Sequence, residues 1–176
     1  MIKSVIKGYG YYVPENVVTN DDLSKLMTTN DEWITERTGI KERRHRKNRN
    51  DSEETTAFLA KKAAEKALEK ANLTAKDLDF IVFATLSPDY FFPGSGVVLQ
   101  EMLGCDTIGA LDVRNQCSGF VYSMSVADAF IKAGTYKNIL VVGAEVHSFG
   151  LDFTDEGRGV SVIFGDGAGA IILSAS

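Results

Sequence analysis

The 176-residue chain predicts an α/β fold, a mixed and largely parallel sheet sandwiched between helices. Three observations predict it. The apolar runs within 79–86 and 138–145 are continuous rather than alternating, as in strands covered on both faces of their sheet. Stretches of helical length separate the strand-like runs, which is the rhythm of parallel sheets. The segment after Cys117 is apolar on most sides, through Phe120, Val121, Met124, Val126, Ala127, Phe130 and Ile131, and so predicts a buried helix.

Each element has its own signal. Residues 2–13 mix Ile, Val and Tyr with Gly8 and Gly10 and read as a bent strand ended by Pro14. Asn20 can cap a short helix through Met27. Asn30 or Asp31 can cap another that holds Trp33 and stops at Gly39. Lys41 to Arg49 is a basic run, either a solvated loop or a site for a phosphorylated ligand or an acidic partner. Asp51 or Ser52, with Glu54 following, opens the clearest helix. Its Ala57, Ala60, Ala64, Leu68 and Ala71 share one face, and Asn72 ends it. Asp79–Leu86 is a strand, Ser87–Phe92 a loop, and Pro93 starts a helix to Leu103. Ile108–Val113 is a strand leading to Cys117, whose helix ends at Gly134. Asn138–Glu145 is a strand, 146–159 a polar loop, 165–169 a tight glycine turn and 170–173 a last strand. The glycine run is not read as a dinucleotide loop, because strand rather than helix follows it.

Composition sets the bounds. Apolar residues make up 44% and charged residues 24%, and no linker or repeat divides the chain, so one domain is expected. A formal net charge of -5 argues against a nucleic-acid partner. The two cysteines, Cys105 and Cys117, make neither a disulfide framework nor a Cys/His metal cluster. Lys3 and Lys7 interrupt any apolar leader and no run is long enough to span a bilayer, so no membrane contact and a cytoplasmic location are expected.

Cys117 is the chemical candidate. A thiol at a strand-to-helix turn meets converging backbone N–H groups and the positive end of the helix dipole, a setting that favours thiolate. Beside Gly119 it reads as a nucleophile aimed into a dry pocket, with a small buried core residue as the plain alternative. His45 lies in the basic run and reads as solvated. His147 follows a strand end and could approach the thiol. Trp33 has Arg37 one helical turn on. It is either a core residue or a stacking platform beside a guanidinium.

Taken together, several stretches resemble one family. These are Gly8-Tyr-Gly-Tyr-Tyr-Val-Pro14-Glu, Thr19-Asn20, Asp31-Glu-Trp33-Ile-Thr-Glu-Arg37-Thr-Gly-Ile-Lys-Glu-Arg43, Cys117-Ser-Gly-Phe, Val-Val-Gly143-Ala-Glu and Ile-Phe164-Gly-Asp-Gly-Ala-Gly169-Ala. The chain resembles the amino-terminal half of a β-ketoacyl-acyl-carrier-protein synthase III, a thiolase-fold condensing enzyme. The resemblance implies a thiolase-like amino-terminal domain over 1–176, with the carboxy-terminal half absent. It implies that Cys117 takes the acyl group of acyl-CoA, which is a substrate rather than a cofactor. Condensation with malonyl-acyl carrier protein then starts fatty-acid or related biosynthesis. Trp33 and Arg158 would sandwich the adenine of coenzyme A, with Thr29 and Arg37 nearby. Phe92 would be lent across a homodimer interface, and Phe164 would lie near the thiol. The family's decarboxylating His and Asn belong to the other half, so this chain alone is not expected to condense. A related enzyme joining two acyl-CoA molecules, or a non-catalytic CoA-binding half, are the alternatives. Arg114-Asn115-Gln116 replaces the small residues common before the cysteine and leaves the acyl group open.

Overall fold

Spacing of small residues decides how the longest helix packs. The structure, a computed structural model, describes residues 2–47 and 53–176. In chain order the elements are β1 (Ser4–Tyr12), β2 (Val17–Thr19), α1 (Asn20–Ser24), α2 (Asp31–Thr38), β3 (Glu42–Arg44), α3 (Thr56–Ala71), β4 (Phe80–Ala84), α4 (Ser95–Leu103), β5 (Gly109–Val113), α5 (Gly119–Lys132), β6 (Asn138–Glu145), α6 (Arg158–Ser161) and β7 (Gly167–Ala175). They divide into two compact units. The first takes Met1–Tyr12, Thr55–Glu145 and Gly167–Ser176, and the second takes Val13–Glu54 and Val146–Asp166. The even composition predicts one domain, but each unit is assembled from segments far apart in sequence, which composition does not register.

The first unit is built on a five-stranded sheet in the order β1-β7-β6-β4-β5. β4 runs parallel to β5 and β6, while β7 is antiparallel to β6 and β1. The sheet is therefore mixed, with less parallel pairing than the sequence suggests. β4 lies between β6 and β5, inside the sheet, which explains its unbroken apolar run: Ile81, Val82 and Phe83 are all fully buried. Val82, Ile139 and Val141 pack with Ala127 and Ile131 of α5 on one face. On the other face α3 lies along β1, β7 and β6. Ala57, Ala60, Ala63, Ala64 and Ala67 are buried there, a wider stripe than the sequence suggests. Gly8 and Gly10 bring β1 against the α3 backbone. A Cβ on Gly8 would lie 2.1 Å from the Ala67 carbonyl oxygen, and one on Gly10 would lie 2.3 Å from that of Ala63.

The ends of α3 show how local chemistry sets boundaries. Asp51 and Ser52, read as its start, lie outside the described residues. The observed cap is Thr55, whose hydroxyl accepts from the Phe58 N–H. The Asp89 carboxylate takes the next two free amides, of Thr56 and Ala57, at 2.8 Å each. Asn72 closes the helix in the left-handed conformation at φ 54°, as expected. α4 starts at Ser95 rather than Pro93, because Asp112 of β5 accepts from the Ser95 and Gly96 amides at 2.7 and 2.8 Å.

In the second unit β2 pairs antiparallel with β3, Val17 opposite Arg44. This pair hides in the sequence because its second strand sits in the basic run. α1 is capped by Thr19 rather than Asn20, in a reciprocal capping box with Asp22. Asn30 caps α2 and Gly39 ends it at φ 72°. Leu23, Met27, Ile34 and Val162 form the core, with Trp33 and Phe153 packed against it. The glycine run is no turn. Gly167 opens β7, and Gly169 faces Gly143 of β6.

His45 is buried rather than solvated, at 6% exposure. Its Nε2 lies 3.3 Å from the Phe164 carbonyl oxygen and must carry the proton to bond there. Burial pushes its pKa below the ordinary 6.5. The unfolded chain then binds the extra proton more readily than the folded one. Stability is thus expected to fall as pH drops below about 6.5. His45→Phe should flatten that slope between pH 7 and 5 in denaturant titrations. An unchanged slope counts against the assignment.

Candidate active site

Cys117 occupies a single 3₁₀ turn, Gln116–Ser118, between β5 and α5. The chain reverses at Gln116, which takes a left-handed φ of 48°. Asn115 steadies the turn: its Nδ2 donates to the Ser118 hydroxyl, which donates to the Asn115 carbonyl, each at 3.1 Å. Gly119, the first residue of α5, is buried next to Ala84 of β4 and seats the helix on the sheet. The thiol itself is exposed, not enclosed in a dry pocket. The predicted burial of the helix also needs correction. α5 buries the stripe Gly119, Ser123, Ala127 and Ile131, while Val121 and Tyr122 on its outer side are 63% and 57% exposed. The sequence shows an apolar helix, but within this unit the sheet covers only one of its faces.

Close to that turn in the first unit, the segment 85–94 is held at its base and open at its tip. Glu145 at the end of β6 accepts from the Leu86 and Ser87 amides at 2.8 and 3.0 Å and from the Thr85 and Ser87 hydroxyls. Asp89 is fixed on the start of α3. The tip carries Phe91 and Phe92, which are 82% and 90% exposed.

The second unit holds the expected nucleotide-binding residues. Two guanidinium groups lie on the Trp33 ring. Arg37 is 4.5 Å and Arg158 4.7 Å from its centroid. Arg37 also donates to the Trp33 carbonyl at 3.2 Å. Arg158 donates to the Thr28 carbonyl, and Asp155 grips the Thr28 amide and hydroxyl. Those two bonds hold the Asp155 carboxyl below the usual carboxylate range. Thr29 is half-buried, and its hydroxyl oxygen has no hydrogen-bond partner among the described residues. Thr28, Thr29, Phe153 and Asp155 line a polar cleft of about 630 Å³. Arg158 rests directly on Trp33 rather than across a gap from it. A flat ring between two stacking groups needs about 7 Å, two van der Waals layers, so Arg158 must swing away before one can enter. Sequence reasoning missed the Thr28–Asp155 grip, since neither residue carries a motif of its own.

Phe164 is half-buried, its carbonyl bound to His45 and its ring edge-on to His147 at 5.0 Å between centroids. Asp166 lies two residues on and is 4% exposed. It accepts from the Arg46 amide at 2.7 Å, the Ser148 amide at 2.9 Å and the Ser148 hydroxyl at 2.6 Å. Among the described residues no cluster of His, Cys, Asp and Glu could hold a metal, and no helix is long and apolar enough to cross a membrane.

With this geometry in place, known proteins supply the comparison. A family model described as 3-oxoacyl-[acyl-carrier-protein (ACP)] synthase III matches residues 111–176, which include Cys117, Arg158 and Phe164. The β-ketoacyl-[acyl-carrier-protein] synthase III of Aquifex aeolicus is 48% identical over 97% of the chain, and that of Xanthomonas euvesicatoria pv. vesicatoria 50% identical over 99%. Over nearly its whole length the chain is similar to 3-oxoacyl-[acyl-carrier-protein] synthases III. It spans about half the length of the curated relatives it matches, 53% and 52% in these two cases. The crystal structure of the Aquifex aeolicus synthase III superposes with a TM-score of 0.92 at 47% identity, covering 100% of this chain and 54% of that one. A priming β-ketosynthase of the R1128 polyketide pathway superposes at 0.91 with 32% identity, over 99% and 50% of the two chains. The mixed sheet with its flanking helices is thus the fold of synthase III enzymes.

Proposed function

We propose that the chain is the amino-terminal domain of an acyltransferase that starts fatty-acid or related biosynthesis. Cys117 attacks the thioester of an acyl-CoA. The new Sγ–acyl bond forms as the bond to the CoA sulfur breaks, and CoA leaves as its thiol. The malonyl group of malonyl-acyl carrier protein then loses carbon dioxide, and its α-carbon bonds to the acyl carbon as the Sγ–acyl bond breaks, releasing the Cys117 thiolate to take up a proton. The observation that carries this reading is the accessible thiol on a turn at the start of α5, inside the stretch that matches the synthase III family. An exposed cysteine between a strand end and a helix start is open to an incoming thioester. The Trp33 ring with Arg37 and Arg158 suits the flat, phosphate-bearing end of CoA, and Thr29 offers an unused hydroxyl beside it.

Condensation is assigned to the complete enzyme, because both histidines here are committed elsewhere: His45 to a backbone carbonyl, His147 against Phe164. Exposed Phe91 and Phe92 favour a homodimer in which Phe92 reaches the neighbouring copy. A soluble acyl carrier protein as partner places the work in the cytoplasm.

The test is intact-mass and peptide mapping after incubation with acetyl-CoA and longer acyl-CoAs. An acyl adduct is expected on Cys117, none on Cys105, and none in Cys117→Ala. Trp33→Ala should slow acylation by CoA thioesters at least tenfold while iodoacetamide still labels Cys117 at the normal rate, since the loss of one desolvated cation–π platform is worth about 2 kcal/mol. Equal labelling of both cysteines by acyl-CoA overturns the reading.

A further inference from the structure

We propose that Arg114 is a positioning residue that sets which acyl groups are accepted, by clasping the Phe91–Phe92 loop to the strand that leads into the cysteine turn. The proposal rests on the reading of Cys117 as the acylated thiol and deepens it by naming a determinant of the acyl class.

Arg114 follows the last residue of β5 and stands three residues before Cys117. It makes two contacts with one residue of the loop. Its Nη2 donates to the Phe91 carbonyl at 3.1 Å, and its guanidinium carbon lies 5.1 Å from the centre of the Phe91 ring. A planar guanidinium can donate to a backbone oxygen through one edge while its flat face rests on an aromatic ring. The contact falls between the hydrogen-bonded anchors of the loop. Glu145 fixes residues 86 and 87, Asp89 is pinned to α3, and Ser95 and Gly96 are pinned to Asp112. Among the described residues, the hydrogen bond from Arg114 is the one that reaches the interval between Asp89 and Ser95. Phe91 and Phe92 are among the most exposed large apolar side chains, and they sit in this interval.

The clasp therefore joins two things that the acyl reading needs. One is the backbone that delivers Cys117, and the other is the loop that presents Phe92. Removing the clasp leaves Phe92 attached to a loop tip free to shift, so the space it would shape for the acyl chain of the neighbouring copy, on the homodimer reading above, loosens. The thiol and its turn stay intact, because Asn115 and Ser118 hold the turn without Arg114. This also gives a physical role to the Arg114-Asn115-Gln116 sequence, where small side chains could not reach Phe91.

The test measures acylation of Cys117 by acyl-CoAs of two to ten carbons, in wild type, Arg114→Ala, Arg114→Lys and Phe91→Ala, using the chain extended with its full downstream sequence where it has one. Arg114→Ala is expected to change the ratio of short-chain to long-chain rates about fivefold, the size that an exposed stack and one hydrogen bond together allow. Iodoacetamide labelling of Cys117 should stay at the wild-type rate, and hydrogen exchange of the Tyr90, Phe91 and Phe92 amides should speed up. Arg114→Lys should restore part of the wild-type ratio, because an ammonium can meet both the carbonyl and the ring but has no flat face to stack. Arg114→Ala combined with Phe91→Ala should be no more altered in selectivity than the stronger single variant, the mark of one shared contact. Normal acylation with an unchanged chain-length ratio in Arg114→Ala overturns the clasp and leaves the acylation reading standing. Failure of wild type to acylate Cys117 at all overturns both.

Discussion

Gly8→Ala will lower the stability of the first unit by about 3 kcal/mol, the upper part of the usual cost of overpacking. The new methyl carbon would sit 2.1 Å from the Ala67 carbonyl oxygen and 2.7 Å from the Ala71 amide nitrogen. Both are backbone atoms of α3, so no side chain can turn aside to make room. Either α3 lifts off β1 along its length or β1 leaves the sheet. Gly10 is in the same position one step along the strand, opposite Ala63. Urea unfolding of Gly8→Ala and Gly10→Ala checks this. A loss below 1 kcal/mol in both would show that α3 can move away at little cost. Gly39→Ala is the control for position, since a Cβ there meets nothing within 4 Å and carries only the strain of its positive φ.

Asp166→Ala is the second large effect, a loss of about 2–5 kcal/mol from the second unit. The carboxylate satisfies two backbone amides and one hydroxyl, and Ser148 and Asp166 are both buried. Each buried donor left unpaired costs about 1–3 kcal/mol. Asp166→Asn should fall between wild type and alanine, because an amide keeps one acceptor oxygen and the Ser148 hydroxyl can turn to accept from its nitrogen. A thermal melt in which alanine is milder than asparagine would reverse the argument. The same residue separates fold from chemistry: its loss should disturb Arg46 and Ser148 without altering Cys117 alkylation per folded molecule.

The sequence reveals what depends on neighbours along the chain and hides what depends on neighbours across it. Asn30, Gly39 and Asn72 were legible as helix ends because a cap is a local bond or a local φ. The strand around Ile81–Phe83 was legible because a strand buried on both faces needs apolar residues throughout. β3 was not, because Arg43 and His45 look like a solvated basic run until Val18, Val162 and Phe164 supply carbonyl partners from distant segments. The site divides in the same way. Cys117 and Trp33 stand out by residue type and context. Asp155, Glu145 and Asp166 act by gripping amides up to 127 positions away, and no spacing rule records that. The stacking of Arg158 directly on Trp33 was also invisible, since a motif names the partners and not the distance between them.

The pairing of β1 with β7 has a bearing on how the protein is made. Ser4 lies opposite Ala175, so β1 cannot pair until β7 has been made. Until then the edge of β6 that β7 will occupy is unpaired, and α3 has only part of its seat. The second unit faces the same delay, since Val146–Asp166 must join Val13–Glu54. Neither body can finish early and shelter the other, and contacts of such long sequence separation form slowly. The nascent chain thus carries open strand edges until β7 emerges, which makes it a natural client for chaperones and leaves it prone to aggregate when translation outpaces folding.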